Sequence, residues 1–83
     1  NADKLLQLQV EIGSEVRTIL SGIAEHFSSE EIIGKQVSVL TNLQPRKIRG
    51  IESQGMILMA EDESGKLVFV SPDEAVKSGS GIR

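Results

Sequence analysis

Three cations within four positions, Arg46, Lys47 and Arg49, are the residues of this chain best suited to act on another molecule. They stand in the stretch NLQPRKIRGIESQGMILMA, residues 42–60, between the apolar runs Val37–Leu40 and Met56–Ala60. An arginine offers a planar fork to two phosphate oxygens, and a lysine offers a compact point charge. Asn42, Pro45 and Gly50 predict a turn-prone loop that carries these cations out from between two strands. The chain as a whole has the opposite sign, with 12 acidic against 9 basic residues and a net charge of −3. Any binding is therefore expected to be a patch effect. An anionic partner is the simplest reason for the reversal, and a nucleic acid the first candidate. The competing reading is a solvated surface loop charged by chance; Pro45, which stiffens the loop, favours binding.

Ser53, Gln54 and Met56 follow the cations directly. Small polar groups beside cations suit hydrogen bonds to ribose or phosphate, and Met56 suits an apolar contact with a base or sugar. A loop-to-strand join with Met56 in the core explains the same residues equally well. Single-strand readers interleave aromatic residues with cations so that bases stack. This chain has only Phe27 and Phe69, with no Tyr or Trp, and Phe69 lies in an apolar run. Recognition of backbone and shape, as in folded RNA, fits better.

Nothing in the sequence assembles a catalytic constellation. His26 is the sole histidine and lacks carboxylates at ligand spacing. Glu30 and Glu31 are adjacent, so on a helix they point apart and read as first-turn residues favoured by its dipole. Glu61-Asp62-Glu63 is too short for a calcium loop and reads as a solvated turn. Ser21-Gly22 lacks the second glycine of a nucleophile elbow.

The elements that must position these groups follow from periodicity. Residues 5–12, LLQLQVEI, alternate with Leu6, Leu8, Val10 and Ile12 on one face, which predicts a half-buried strand. Gly13-Ser14 suits a two-residue type II′ turn, and EVRTIL, residues 15–20, alternates again through Val16, Thr18 and Leu20. Ser28 and Glu31 have capping-box spacing, predicting a helix of about two turns that Gly34 stops. Further strands are expected at Lys35–Thr41, Gly55–Ala60 and Lys66–Ser71, the second apolar throughout and so buried on both faces, in an interface if not in the core. Asp73–Val76 is expected to form one helical turn, and Lys77–Arg83 a small polar tail. Short strands with one interposed helix predict an all-β fold: a small antiparallel barrel of the OB-fold type.

At 83 residues this is one small domain, burying roughly 60–65% of the surface of its unfolded chain, so a dimer or a neighbouring segment would help it. Cysteine is absent, which excludes a disulfide framework and a thiolate metal site and fits a reducing compartment. No apolar run approaches the roughly 20 residues that span a bilayer, and NADKLLQLQ has no signal-peptide pattern. The start without Met, almost inside a strand, points to a fragment of a longer protein.

The chain resembles the tRNA-binding domain at the C-terminus of many bacterial methionyl-tRNA synthetases, found also in small stand-alone dimeric tRNA-binding proteins. The matching pieces are Asp3-Lys4-Leu5-Leu6, Ser21-Gly22-Ile23-Ala24, Asn42-Leu43 with Pro45-Arg46-Lys47-Ile48, and the most specific, Gly50-Ile51-Glu52-Ser53-Gln54-Gly55-Met56. The resemblance implies an OB-fold with a C-terminal extension, pairing of two domains, and binding to the outside corner of tRNA by shape. Through it Ser53, Met56 and Lys4 match positions of tRNA contact or basic charge. The candidate RNA-binding set is thus Lys4, Asn42, Arg46, Lys47, Arg49, Ser53, Gln54 and Met56. The endings Ser71-Pro72-Asp73 and Gly81-Ile82-Arg83 resemble a synthetase tail. Family domains begin about 25–30 residues earlier, so residues 1–83 are read as a single domain whose first barrel strand is missing. The implied parent is a cytoplasmic homodimeric ligase that uses ATP, with zinc a further candidate there, while the domain itself needs no cofactor, small-molecule substrate or membrane. Two alternatives stand beside this: a stand-alone tRNA-binding or chaperone-like protein of the same fold, and a pure dimerisation module.

Overall fold

The computed structural model describes residues 4–83, so Asp3 of the opening motif lies outside the described residues. The first two strands, β1 (Leu6–Ile12) and β2 (Glu15–Ser21), pair antiparallel over their full length, with Ile12 opposite Glu15 and Leu6 opposite Ser21. Gly13 has φ 63° and Ser14 a negative φ, as the expected type II′ turn requires. Leu6, Leu8, Val10 and Ile12 face inward, and Gln7, Gln9 and Glu11 are exposed.

The face of β2 is the reverse of the expected one. A two-residue turn places Ser21, Ile19, Arg17 and Glu15 opposite the inward residues of β1, and directly opposed residues share a face. Ile19 is therefore wholly buried, while Val16 is 60% exposed. Thr18 faces out and exchanges hydrogen bonds with Gln9. The turn, not the run of Val16, Thr18 and Leu20, sets the register.

Helix α1 (Ser29–Ile32) is one turn long, not two. The Ser28 N–H donates to Glu31 Oε1 at 2.8 Å, and Gly34 follows with φ 87°. None of its residues is buried, and short helices persist only where packing sustains them. The strand expected over Lys35–Thr41 shrinks to β3 (Val39–Leu40), because the preceding residues bond elsewhere. Ser38 Oγ donates to Val70 O at 2.7 Å, Ser38 O accepts from Leu58 N, and the Gln36 side chain both donates to and accepts from the backbone of Val76. That last pairing also replaces the helical turn expected at Asp73–Val76.

The cation-bearing segment is not a loop. It is a hairpin, β4 (Arg46–Ile48) and β5 (Ile51–Ser53), turning at Arg49-Gly50. The single strand expected over Gly55–Ala60 is divided into β6 (Met56–Ile57), which pairs with β3, and β7 (Met59–Glu61), which pairs with β8 (Leu67–Phe69). Nor is it buried on both faces: Met56 and Leu58 are 46% and 38% exposed around Ile57 at 6%. Between β7 and β8, Asp62 Oδ1 accepts from the Ser64 and Lys66 amides and the Ser64 hydroxyl. The hydroxyl, then the Lys66 amide, hold the exposed Asp62 carboxyl below its ordinary range.

The core is small: Ile19, Ile23 and Ile57, with buried Ser38 and Ser53 bonded among them. Phe69 is half-buried and packs on Phe27 with ring centroids 4.8 Å apart. The fold is all-β and barrel-like, as expected. Among the described residues no helix is long and apolar enough to cross a membrane.

Candidate nucleic-acid interface

The β4–β5 arm springs from two roots, Thr41 before it and Gln54 after it. Its turn has φ 54° at Arg49 and 80° at Gly50, both left-handed, as in the type I′ turns that suit two-residue hairpins. Glycine adopts this freely. Arg49 does so at a cost of about 1–2 kcal/mol.

Strand alternation decides where the cations go. Arg46 pairs with Ser53, Ile48 with Ile51, and Lys47 with Glu52. Arg46, Ile48, Ile51 and Ser53 thus share one face, and Lys47 with Glu52 takes the other. The three cations do not form a flat patch: they occupy both faces and the tip of a projecting arm. All three are exposed, and among the described residues none is within salt-bridge distance of a carboxylate. Arg46 and Arg49 have no opposed carboxylate, whereas Lys47 has Glu52 directly across the ladder from it.

The other candidate residues fall into different positions. Ser53 is only 6% exposed; its hydroxyl accepts from Leu20 N at 3.0 Å and donates to Gly55 O at 3.4 Å. Gln54 N donates to Thr18 O at 2.8 Å, and its Oε1 accepts from Thr18 N at 3.3 Å. These two side chains stand in for missing ladder partners along the free edge of β2. Met56 is on the surface beside Leu40, Asn42 is exposed, and Lys4 is exposed just before β1, where its carbonyl accepts from Ala24 N.

Two concavities flank the arm. A shallow apolar trough of about 180 Å³ lies between the arm and the outer face of the first hairpin, lined by Leu5, Gln7, Leu20, Ile48, Arg49 and Ile51. On the other side, a more polar hollow of about 310 Å³ is lined by Glu15, Val16, Arg17, Thr41, Leu43, Pro45 and Gln54. Arg17, at its wall, is outside the candidate set that the sequence supplies. The available signal is an arginine on the strand face that the turn register directs inward. Among the described residues no cluster of His, Cys, Asp and Glu has the geometry of a metal site.

The profile of the family described as "Putative tRNA binding domain" matches residues 1–81. Curated relatives include methionine–tRNA ligases of Flavobacterium psychrophilum, 67% identical over 82 residues, and Flavobacterium johnsoniae, 63% identical over 81 residues. The matched region is 98% of this chain in each case but 12% and 11% of those proteins. Among solved structures, a protein from Pyrococcus horikoshii described as related to methionyl-tRNA synthetase is 42% identical with a TM-score of 0.88, the alignment covering 98% of this chain and 74% of that one. The chaperone CsaA of Bacillus anthracis shares the fold at a TM-score of 0.87 with 22% identity, over 95% of this chain and 76% of that one.

Proposed function

The chain belongs to the tRNA-binding domain family, and from that premise we propose that it holds folded tRNA through the β4–β5 arm, by backbone charge and shape. The observation that carries this is the cluster of exposed cations Arg46, Lys47 and Arg49, none of them in an ion pair among the described residues, on an otherwise acidic chain. With cations on both faces and at the tip, the arm suits a partner whose phosphates approach from more than one side. The absence of Tyr and Trp favours contact with the backbone over stacked bases. Lys4, Asn42 and Met56 are exposed and within this reading add peripheral contacts. Ser53 and Gln54 contribute chiefly by joining the arm to β2. The test is tRNA binding across a salt series. Charge reversal at all three arm cations is expected to remove most affinity. Each cation–phosphate pairing removed should flatten the dependence of log K on log salt by roughly 0.7–0.9. An unchanged slope would overturn the reading.

We also propose that the domain is an appendage of a methionine–tRNA ligase, delivering tRNA to catalytic domains elsewhere in a cytoplasmic enzyme that consumes ATP. The names and lengths of the relatives support this. The Pyrococcus structure, of which this chain covers 74%, supports the alternative of a small stand-alone protein. The full reading frame separates the two. A strand preceding β1 and a symmetric homodimer complete the proposal. In support, β1 pairs only with β2 among the described residues, and Met56, Leu58, Val68 and Val70 leave apolar surface in water. A chain extended by the preceding segment should melt at higher urea and scatter light as a dimer. Equal midpoints and m-values would remove the strand, and a monomeric mass would remove the dimer.

A further inference from the structure

We propose that Arg17 is the positioning residue of the arm, one guanidinium nitrogen clasping both of its roots and so fixing the direction in which Arg46, Lys47 and Arg49 project. Arg17 Nη1 donates to Thr41 O at 2.9 Å and to Gln54 O at 3.0 Å. Thr41 is the last residue before the segment that climbs into β4, and Gln54 is the first after β5. A terminal guanidinium nitrogen carries two hydrogens, and here each meets the carbonyl of one leg. The rest of the group is turned to Glu15, with Nε 3.3 Å and Nη2 3.2 Å from Glu15 Oε1. The side chain is 26% exposed, and most of its donors are spent within the fold. Unlike the arm cations, Arg17 has at most one Nη2 hydrogen left to offer a phosphate unless it gives up these bonds.

The two legs depend on Arg17 unequally. The exit leg is also held by Gln54 N on Thr18 O and by Ser53 Oγ on Leu20 N. No other side-chain hydrogen bond reaches residues 41–45 among the described residues, so the entry leg relies on Arg17. An arm free at that leg must be ordered when RNA binds, and this ordering weakens affinity without changing the interactions made in the complex. The signature of a clasp is therefore lower affinity at an unchanged salt slope.

The inference rests on the tRNA reading, and its test keeps the two apart. Binding of tRNA is measured across a salt series for the unmutated protein, Arg17→Met and Arg17→Lys, together with amide hydrogen exchange of residues 42–53 in the free proteins. Methionine keeps the stem and has no donor; the single ammonium of lysine serves both carbonyls. Arg17→Met is expected to bind about tenfold more weakly with the parental slope and to exchange faster in the arm, while Arg17→Lys stays within about threefold of the parent. Parental affinity and exchange in Arg17→Met would overturn the clasp. So would a slope flattened by roughly 0.7–0.9, which marks a direct phosphate contact. Should Arg17→Met fail to fold, the guanidinium NMR signals of the unmutated protein decide: on saturation with tRNA those of Arg17 should stay unshifted while those of Arg49 move. An Arg17 shift as large as that of Arg49 would overturn the proposal. If the unmutated protein does not bind tRNA, the functional reading falls, and arm exchange in the free variants still tests the clasp.

Discussion

The β1–β2 hairpin pairs seven residues with seven and turns at Gly13-Ser14, whereas the β4–β5 arm pairs three with three and turns at Arg49-Gly50. The first places one face on the core and buries Ile19 completely. The second buries only Ser53, a polar side chain, and carries its cations into water. A long hairpin is stable through the apolar face it buries. A short one needs an anchor, here the side chains of Ser53 and Gln54 laid along β2 with Arg17 across the roots. Stability and charge are thus placed on different hairpins, coupled where Arg17, Ser53 and Gln54 join the arm to β2.

The strongest challenge to that division is Ile19→Ala. Removing the most deeply buried side chain should cost about 2–5 kcal/mol in urea unfolding, with arm and scaffold lost together because the arm is anchored on β2. A loss under about 1 kcal/mol would mean that stability lies elsewhere. Arg49→Gly sharpens the comparison, because its two effects have opposite signs. Relief of the left-handed backbone should stabilise the protein by up to about 1 kcal/mol, while loss of the tip cation weakens tRNA binding and flattens the salt slope by roughly 0.7–0.9. If both properties fall, the turn itself is part of the binding surface. Ser78→Ala removes bonds to Gly13 N and Glu11 O, each 3.0 Å, and should cost about 1 kcal/mol or less with tRNA binding unchanged. The smallest effect is local to Asp62. Its carboxyl titrates below the ordinary 3.8, so the β7–β8 turn keeps these bonds as pH falls through that value and loses them only lower still. Faster exchange of the Ser64 and Lys66 amides already at pH 5 would contradict this.

Legibility divides along the same line. The first hairpin is readable because period-two alternation over seven residues and a glycine turn are strong local signals, yet the same pattern points to the wrong face of β2. Val16, Thr18 and Leu20 resemble an inward row, and only the two-residue turn shows that Arg17 and Ile19 fill it. The arm's cations are visible as a cluster, but Arg46–Ile48 and Ile51–Ser53 are too short to show a period, and Arg49-Gly50 is an unusual type I′ pair. β3, β6 and β7 depart from their expected bounds for a different reason: Gln36, Ser38 and Leu58 make bonds to distant residues that no local pattern encodes. The turn register marks Arg17 as inward-facing, but its role lies in two backbone carbonyls, which carry no residue signature.

The seating of Ser78 and Gly79 against the Gly13-Ser14 turn has a consequence for how the protein is made. Ser78 bonds Gly13 across 65 positions, and Gly79 lies so near that a Cβ there would stand 2.8 Å from Gly13 N, leaving room for no other residue. Synthesis runs from N- to C-terminus, so the β1–β2 hairpin can form before residues 22–83 have emerged. The turn of that hairpin stays uncovered until Ser78, 65 positions later, has been added. For that interval its exposed backbone is available to chaperones and proteases, and the docking of Ser78 and Gly79 marks the end of that exposure.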